Sequence, residues 1–459
     1  MENKDFEAIS EELLDLLEKK NMKQFKETLE EMNEFDVAEF ISELPRRKIA
    51  MVFRLLSKSK AAEVFANLEA PEQSYIIECI TDAELGEIIE ELYLDDAVDL
   101  LEELPANVVK RVMTTATPET RRLINQYLEY PDNSAGSIMT SEYVDLKKYM
   151  NVREAIARIR RIGEDKETIY TCFVVSSDRK LEGVVTVKEL LLSDDEAIIG
   201  DIMDANVIFA TTTDDQEEVS ELFSDYDLLA VPVVDKEGRL VGIVTVDDVI
   251  DVLQEEVTED FEKMAGITPS DKPYSRAGVL DVWKSRIPWL MFLMLSATFT
   301  SMIISKFEGS LAACAVLIGF IPMLMGTGGN SGSQSSTAVI RSLSLGDTEP
   351  KDIFKVIWKE IRVAVLCGLS LGAVNFVKMY LVDRMILGNN EITIPVVLTV
   401  SLTLVFVVVF AKVVGSTLPL AAEKIGIDPA VMASPLISTI TDAVSLLIYF
   451  LMAGLVLGI

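Results

Sequence analysis

Two short stretches in the last third of the chain hold the side chains best suited to chemistry. Residues 322–341, PMLMGTGGNSGSQSSTAVIR, concentrate Gly, Ser, Thr, Asn and Gln within an apolar context. Residues 432–457 contain one acid, Asp442, and the same stretch supplies hydroxyl groups from Ser434, Ser438, Thr439 and Thr441. Carboxylate and hydroxyl oxygens are ligands for hard cations, so the second stretch is a candidate cation site.

The Gly-rich stretch allows more than one interpretation. A phosphate-binding P-loop is the least favoured, because no Gly-Lys-Ser/Thr follows the glycines and no soluble strand precedes them. Close helix packing through small residues and a polar helix that lines an aqueous path both remain open. The second is favoured, because lipid cannot satisfy so many polar groups: Asn330, Ser333, Gln334, Ser335 and Thr337.

An acid within an apolar run is costly unless it has a partner. No basic residue lies in the core of a predicted span, and Lys378 and Lys412 are placed near span ends. Asp442 could be a helix-end acid that reaches the membrane interface. A carboxylate without a fixed basic partner is better suited to a transient one, namely a cation.

Several classes of catalytic and metal site are excluded by composition. The chain has no His, which excludes Ser-His-Asp and Cys-His catalysis and every His-ligated metal site. The four Cys are far apart and form no C-x-x-C motif, so neither a zinc site nor a disulfide framework is indicated. No nucleophile–base pair is visible, and we predict that the protein is not an enzyme.

The charge distribution divides the chain into two parts. The 459 residues carry 42 basic and 74 acidic side chains, a formal net charge of −32, which argues against nucleic acid as a partner. Residues 1–272 hold 63 of the acids and 29 of the basic residues. The amino-terminal residues lack the basic start and apolar core of a signal peptide, so we expect a cytosolic first half.

Five apolar stretches follow residue 285, and a membrane-spanning helix needs about 20 mostly apolar residues. They cover 287–305, 311–338, 356–380, 394–420 and 432–457. Ten basic residues flank one predicted side: Arg276, Lys284, Arg286, Arg341, Lys351, Lys355, Lys359, Arg362, Lys412 and Lys424. Lys306, Lys378 and Arg384 flank the other. The excess of positive charge predicts a cytosolic amino terminus and an external carboxyl terminus.

Two repeats organise the first half. VAEFISELP (37–45) recurs as AVDLLEELP (97–105), with AAEVFANLE (61–69) between them, which predicts an all-α helical-repeat domain over 1–130. VVSSDRKLEGVVTVKELL (174–191) aligns with VVDKEGRLVGIVTVDDVI (233–250) at an offset of 59, with seven identities in 18 positions. SIMT (137–140) and DIMD (201–204) precede the two copies. This pattern resembles a tandem pair of α/β CBS domains, which we place at 135–252.

The remaining segment, 253–284, connects this pair to the apolar stretches. Its apolar residues Val252, Leu253, Val257 and Phe261 have helical spacing and predict a connecting, plug-like helix that lies along the cytosolic membrane face. The predicted fold class is therefore a multidomain protein: an all-α domain, an α/β CBS pair, a connecting helix and a five-helix α transmembrane domain over 285–459.

Taken together, these features resemble the MgtE family of magnesium channels and transporters over nearly the whole chain. The most specific motifs are P-x-L-x-G-x-G-G-N-x-G-x-Q, from Pro322, and the D-P-A…P-L-I-x-T…D-A run, from Asp428. Ser434 stands where many members have Asn. The resemblance implies a homodimer in the lipid bilayer, with a pore on the two-fold axis lined by the second and fifth spans of both subunits.

The resemblance also implies roles for individual residues. Asp442 would be the selectivity carboxylate, with Asn330, Gln334 and Ser438 lining the pore. Regulatory Mg²⁺ would bind acidic residues of all three cytosolic elements: Glu63, Asp95, Asp99, Glu217, Asp227, Asp248, Asp251, Glu256, Glu259 and Asp260. ATP or another adenylate is a possible ligand of the CBS pair, and the roles of nearby Asp178, Glu189 and Asp235 stay open.

The sequence thus predicts a Mg²⁺-selective channel of the plasma membrane that Mg²⁺ itself closes. Mg²⁺ is both substrate and regulator in this hypothesis. One alternative is a carrier for another divalent cation such as Mn²⁺ or Co²⁺. A second is an adenylate-sensing regulatory protein that uses its membrane part as an anchor, but an anchor needs neither Asp442 nor a polar second span.

Overall fold

Short helices build the amino-terminal part of the protein. The computed structural model describes residues 3–270, 274, 277–432 and 434–458. Ten helices precede the first strand in this described part: α1 (Asn3–Glu18), α2 (Met22–Glu31), α3 (Glu34–Glu43), α4 (Arg46–Phe53), α5 (Lys58–Ala66), α6 (Ala70–Cys79), α7 (Asp82–Glu91), α8 (Leu94–Glu103), α9 (Ala106–Thr115) and α10 (Pro118–Tyr127).

The repeat seen in the sequence corresponds to a repeat of helices. Its three copies lie on α3, α5 and α8. Pro45 and Pro105 stand immediately before α4 and α9. Because proline disfavours helical geometry in the preceding residue, each marks the same helix boundary. The apolar faces of these helices meet in a continuous core that includes Phe25, Phe40 and Phe65.

Two three-stranded sheets follow. The strands are β1 (Asp145–Leu146), β2 (Thr171–Val175), β3 (Leu181–Thr186), β4 (Ala210–Thr211), β5 (Ala230–Val234) and β6 (Leu240–Thr245). Each sheet joins a parallel pair to an antiparallel pair, in the orders β1-β2-β3 and β4-β5-β6. The helices between and after them are α11 (Val152–Ile162), α12 (Val187–Leu192), α13 (Ile199–Ile202), α14 (Gln216–Tyr226) and α15 (Val246–Met264).

The two α/β modules are interlocked through their most similar residues. A Cβ added at Gly183 of the first copy would lie 2.5 Å from Sδ of Met203, in the motif that precedes the second copy. A Cβ added at Gly242 of the second copy would lie 2.6 Å from Sδ of Met139, which precedes the first. Gly183 of the first copy therefore makes room for the methionine that precedes the second copy, and Gly242 of the second copy for the methionine that precedes the first.

Helix α15 continues the second module and ends at Met264, within the predicted connecting segment. Val252 is buried, whereas Leu253, Val257 and Phe261 are exposed. The later part of this segment includes residues 271–273, 275 and 276, so Arg276 lies outside the described residues. The chain divides into two compact units, Met1–Gln254 and Glu255–Ile459.

The second unit is helical. Its helices are α16 (Val279–Lys306), α17 (Glu308–Ala313), α18 (Ile321–Ser344), α19 (Ile353–Lys378), α20 (Ile394–Lys424) and α21 (Ser434–Leu457). A 3-10 helix, Ala315–Phe320, precedes α18, and a π-helical turn, Met379–Ile386, follows α19. Helices α18, α19 and α21 all pack against α20, whose buried residues include Val400, Leu404 and Val408.

Four stretches of the described chain are long and apolar enough to cross a membrane: Val279–Lys306, Pro350–Ile386, Ile394–Lys424 and Pro429–Leu457. They correspond to the first, third, fourth and fifth predicted spans. The second prediction, 311–338, begins about ten residues before α18 does. Pro322 lies in the first turn of α18, where proline is tolerated because no N–H is needed. The 24 residues of α18 have the length of a span, but Gly, Ser, Asn and Gln make it polar.

Candidate functional site

Helix α18 has two different faces. Its small residues Gly328, Gly332 and Ser335 are buried. Asn330, Gln334 and Thr337 are exposed and recur at spacings of four and three residues, which places them on one side of the helix. Close packing and a polar helix surface, which the sequence left as alternatives, therefore occur together on opposite faces.

Helix α18 owes its close fit to glycine. A Cβ at Gly332 would lie 2.6 Å from Cγ2 of Ile437 on α21, and a Cβ at Gly328 would lie 2.9 Å from Oγ of Ser445. On the other side, a Cβ at Gly415 of α20 would overlap the carbonyl of Gly332. The backbones of α18, α20 and α21 thus approach more closely than larger residues would allow.

Asp442 lies on α21 where that helix faces α18. One turn earlier, Ser438 is in contact with α18, since its Oγ lies 3.1 Å from a Cβ built at Gly329. Thr441 is fully buried, whereas Asp442 is half-buried. Within the described part of the chain the Asp442 carboxylate has no hydrogen-bond or ion-pair partner. The carboxylate is therefore available to a ligand.

A second polar group lies inside the helical unit. Lys412 is 95% buried on α20, and its Nζ donates a hydrogen bond to Oγ of Ser335 at 3.2 Å. The Ser335 hydroxyl in turn donates to Oε2 of Glu360 on α19 at 2.6 Å. The expectation that Lys412 lies near a span end was wrong, because α20 extends 12 residues beyond it. Its positive charge is offset by Glu360 through a shared serine.

Acidic side chains of the helical domain and the α/β pair face one another within the first unit. Burial and repulsion from Asp96 and Asp248 raise the pKa of Asp95 well above its usual range. Burial and repulsion from Asp248 and Asp247 raise the pKa of Asp96 to about 6. Asp248 accepts a hydrogen bond from Thr245, yet burial still raises its pKa. The structure thus brings together predicted residues Asp95 and Asp248.

A glutamate that the sequence analysis did not single out belongs to the same group. Burial, with repulsion from Asp247 and Asp248, raises the pKa of Glu167 to about 7. Its Oε2 is buried and has no hydrogen-bond partner among the described residues. Glu142 contributes to the repulsion at both Asp96 and Glu167. We call Asp95, Asp96, Glu142, Glu167, Asp247 and Asp248 the interdomain acidic cluster.

The other predicted residues of the first unit are more dispersed. Glu63 on α5, Asp99 on α8, Glu217 on α14 and Asp251 on α15 are exposed. Glu63 is near enough to Tyr93 to add to the burial that raises the pKa of that phenol. Asp227 ends α14 in a left-handed conformation, with φ of 52°. No three Asp, Glu or Cys side chains in the described residues are arranged so that they could hold a metal ion.

The acids near the end of α15 form a separate group in the second unit. Burial and repulsion from Asp428 raise the pKa of Asp260, with smaller contributions from Glu256 and Glu259. Lys263 pairs with Glu259, and its Nζ lies 2.6 Å from Oδ2 of Asp428. The Lys263 ammonium thus lies between the carboxylates of Glu259 and Asp428 and reduces the repulsion between them, as a bound cation would.

Five members of these groups were not predicted from the sequence: Asp96, Glu142, Glu167, Asp247 and Asp428. Asp428 could have been predicted, because it is the first residue of the D-P-A motif. In the structure its Oδ1 accepts a hydrogen bond from the Ala430 amide. Glu142 and Glu167 follow no sequence pattern. They join the interdomain acidic cluster only because the loops that carry them fold beside α8 and α15.

The α/β pair contains a cleft, open to solvent, with a volume of about 700 Å³. Its walls are mainly apolar, and its polar edge includes Thr186, Lys188, Asp204, Asn206 and Asp227. Tyr170, which is 67% exposed, also lines it. Glu189 and Asp235, whose roles the sequence left open, serve local structure: Glu189 forms a capping box with Thr186, and Asp235 binds Arg239.

The chain matches known proteins along most of its length. Residues 321–452 match the MgtE profile, described as a divalent cation transporter. Residues 32–133 match the MgtE intracellular N domain, and residues 135–195 and 199–255 match CBS domains. The magnesium transporter MgtE of Thermus thermophilus is 40% identical over 79% of this chain and 80% of its own. The chain belongs to the MgtE family.

Further relatives agree with this membership. The magnesium transporter MgtE of Bacillus subtilis is 35% identical over 78% of this chain and 77% of its own length. Among solved structures, the soluble part of a magnesium transporter matches 55% of this chain and 99% of that one, with 32% identity and a TM-score of 0.53. The cytosolic domain of the Mg²⁺ channel MgtE in complex with ATP matches 53% and 99%, with 38% identity and a TM-score of 0.51.

The MgtE membership confirms the family predicted from the sequence. The chain is a multi-pass membrane protein with a large soluble amino-terminal part.

Proposed function

We propose that this MgtE family member transports Mg²⁺ across the plasma membrane as a homodimer. Curated relatives with 35–40% identity are magnesium transporters. In this proposal α18 also crosses the membrane, in addition to the four apolar stretches, and its polar face is covered by the partner subunit rather than by lipid. The exposure of Asn330, Gln334 and Thr337 supports it, because lipid cannot satisfy such groups.

The observation that carries the proposal is the unpartnered carboxylate of Asp442. It lies on an apolar helix, beside a glycine-packed neighbour, and no described residue neutralises it. An intramembrane acid of this kind indicates a cation pathway. Two copies of Asp442 in a dimer would repel each other when the pathway is empty, and a dication would remove that repulsion.

The available ligands suit Mg²⁺. Mg²⁺ holds its waters tightly and is bound through few carboxylates, so a pathway can recognise the hydrated ion. Asp442, Ser438, Asn330 and Gln334 offer oxygen acceptors to the hydrogens of those waters. Softer transition metals prefer His or Cys ligands, and the chain has no His.

Regulation by Mg²⁺ follows from the soluble acids. The interdomain acidic cluster joins α8 to the CBS pair, and its raised pKa values report carboxylates that repel one another. A hydrated Mg²⁺ between them would relieve this repulsion without a cage of three carboxylates. In the proposal such ions, with others at Glu63, Asp99, Glu217, Asp227, Asp251, Glu256 and Asp260, favour a closed channel. Glu259 is left out of this set, because Lys263 already pairs with it.

The CBS cleft is the proposed adenine nucleotide site. It is large enough for such a ligand, and Tyr170 offers an aromatic face at its edge. The ATP complex of the related cytosolic domain supports this assignment. Tyr170→Ala should weaken ATP binding to the full-length protein by at least tenfold in titration calorimetry, whereas Tyr149→Ala, at an exposed tyrosine outside the cleft, should not.

The decisive experiment is Mg²⁺ flux into liposomes that contain the purified protein. Asp442→Asn keeps the shape and polarity of the side chain but removes its charge, and we expect uptake to fall at least 100-fold. Glu349→Gln, which breaks an exposed ion pair with Lys351, is the matched control and should leave uptake unchanged. Normal uptake by a folded Asp442→Asn protein would disprove the assignment of Asp442.

The same liposomes separate Mg²⁺ from other divalent cations. We expect a tenfold excess of Mn²⁺ or Co²⁺ to compete only weakly with Mg²⁺ uptake. Stronger competition than Mg²⁺ itself provides would identify the protein as a carrier of the competing ion.

A further inference from the structure

The start of helix α19 carries an exposed basic and aromatic face. Lys355, Lys359 and Arg362 are all exposed, and at about 100° per residue they fall within roughly 60° of arc. Phe354 is 84% exposed and Trp358 is 61% exposed beside them. We call these five residues the α19 basic face.

The positive charges of this face are not used inside the protein. Lys355 and Lys359 have no hydrogen bond or ion pair with any residue that the structure describes. The Arg362 guanidinium lies 5.9 Å from the centre of the Trp358 ring, and its Nε donates to the Trp358 carbonyl. The one nearby lysine that is paired, Lys351, binds Glu349.

The acid of this helix turn points elsewhere. Glu360 accepts a hydrogen bond from Ser335 on α18, and it lies more than about 90° around α19 from the three basic residues. Asp352, the N-cap residue of α19, is the other acid close in sequence to this face, and it forms no ion pair with Lys355 or Lys359. The charges of these two lysines are therefore not paired with any carboxylate of the described chain. The positive charge of the α19 basic face therefore favours an anionic partner from outside the chain.

The position of the face along the helix identifies that partner. Residues 363–377, VAVLCGLSLGAVNFV, follow it without a charged side chain and belong to an apolar stretch long enough to cross a membrane. The basic face thus lies at the end of an apolar stretch, where lipid headgroups begin. Tryptophan is enriched at this depth, and lysine and arginine are attracted to anionic headgroups there.

We propose that the α19 basic face binds the headgroups of anionic phospholipids. Lys355, Lys359 and Arg362 bind the phosphate groups, and Phe354 and Trp358 lie among the upper parts of the acyl chains. The inference rests on the membrane location of the protein and does not depend on the identity of the transported ion. Bound lipid holds the first turns of α19 in place and, through Glu360 and Ser335, supports α18.

The test is lipid selectivity of the full-length protein in vesicles. Protein in phosphatidylcholine vesicles would be probed with spin-labelled phosphatidylglycerol and spin-labelled phosphatidylcholine, and the motionally restricted fraction of each measured by electron paramagnetic resonance. We expect the wild type to prefer phosphatidylglycerol. Lys355→Gln/Lys359→Gln/Arg362→Gln should reduce that preference at least tenfold, because each basic residue near an anionic surface contributes about a factor of five.

Two controls make the outcome specific. Lys23→Gln/Lys26→Gln/Arg47→Gln changes the net charge equally at exposed residues of the helical domain and should keep the preference. Inorganic phosphate at matched ionic strength should not displace the labelled lipid, since a free phosphate lacks the chains that Trp358 and Phe354 contact. Displacement by phosphate would replace the lipid assignment with a soluble-anion site.

The double variant Lys355→Gln/Lys359→Gln guards against misfolding of the triple one, and both would be checked by thermal unfolding. An undiminished preference for phosphatidylglycerol in the folded double variant, or no preference in the wild type, would overturn the proposal. Loss of Mg²⁺ transport in Asp442→Asn leaves it unaffected, so the two proposals fail independently.

Discussion

At the scale of single residues, Asp442 of α21 and the glycines of α18 contribute to the proposed cation site in different ways. The carboxylate provides charge, and glycine lets α18 and α21 pack closely beside it. Ser438 and Thr441, which are neighbours of Asp442 on α21, are in contact with α18 only because Gly328 and Gly329 lack side chains. The selectivity proposed for Asp442 therefore depends on residues that cannot bind an ion themselves.

Gly415→Ala should disrupt this packing. A Cβ at this position meets the backbone of Gly332, which cannot rotate away, so we expect destabilisation of about 1–3 kcal/mol. The measurement is the midpoint of thermal unfolding of the detergent-solubilised protein. Gly319→Ala is the control, because a Cβ there meets no atom within 4 Å, and its midpoint should stay within error of the wild type. Equal midpoints for the two variants would argue against close α18–α20 packing.

At the scale of helices, the buried Lys412–Ser335–Glu360 group links α20, α18 and α19. Taking a lysine out of water is unfavourable unless an acid offsets its charge, and Glu360 does so through the serine hydroxyl. The group also fixes the rotation of α18, since Ser335 lies opposite the exposed Asn330 and Gln334 face.

We predict that Glu360→Gln and Lys412→Met each lower stability by about 1–3 kcal/mol, because each removes a charged partner of the hydrogen bonds at Ser335 rather than half of a direct ion pair. The double variant should be more stable than the sum of the two changes predicts, by on the order of 1–3 kcal/mol. Thermal or denaturant unfolding in detergent would measure this coupling. Lys351→Met, which breaks an ion pair with Glu349 in which both side chains are exposed, is the control and should cost less than about 1 kcal/mol. Additive effects of Glu360→Gln and Lys412→Met would show that the two charges do not interact.

The interdomain acidic cluster predicts a dependence on pH. The folded state raises the pKa of Glu167 from 4.5 to about 7 and that of Asp96 from 3.8 to about 6. A carboxylate with a raised pKa prefers to be protonated in the folded state, so its cost is absent below pH 4 and grows as the pH rises toward 7. For Glu167 the shift corresponds to about 3 kcal/mol, and screening by solvent at this partly exposed side chain reduces the cost to about 2 kcal/mol.

Without Mg²⁺, the first 254 residues of the full-length protein should therefore be cleaved faster by protease at pH 8 than at pH 5.5, after correction for the activity of the protease. Glu167→Gln should reduce this difference, whereas Glu164→Gln, at an exposed neighbour, should not. A cleavage rate that falls as the pH rises would contradict the repulsion within the cluster.

At the scale of the whole molecule, negative charge is concentrated in the soluble part. Residues 1–272 carry 63 acids against 29 basic residues, and such an excess favours separation of domains through repulsion. Any salt screens charge, but only a bound cation bridges facing carboxylates. The difference between the two effects can be measured.

Mg²⁺ should protect the first 254 residues from proteolysis at concentrations where K⁺ of equal ionic strength has no effect, because screening depends only on ionic strength. Asp248→Ala should weaken the protection several-fold, since it removes one wall of the interdomain acidic cluster. Asp178→Ala, in an exposed turn, is the control. Identical responses to the two cations would leave only general screening and remove the case for specific regulatory ions.

Local sequence patterns are enough to predict most of the elements and the family. The α3, α5 and α8 repeat, the tandem α/β modules and the apolar stretches are all local patterns, set by hydrophobic spacing and by residues such as Pro45 and Pro105. The two membrane motifs are long enough to identify the MgtE family without a structure. Asp442 was predicted as a candidate site residue because it is the one acid within an apolar stretch of the sequence.

Contacts between residues of separate elements follow from the three-dimensional packing and were not predictable from the sequence. The crossed packing of Gly183 on Met203 and of Gly242 on Met139 joins residues from opposite ends of the repeat. Lys412 proved to be buried rather than near a span end, because its neighbours Ser335 and Glu360 come from other helices. Glu142 and Glu167 entered the interdomain acidic cluster for the same reason. Charge pairing and desolvation depend on distance in space, and spacing along the chain does not specify that distance between separate elements.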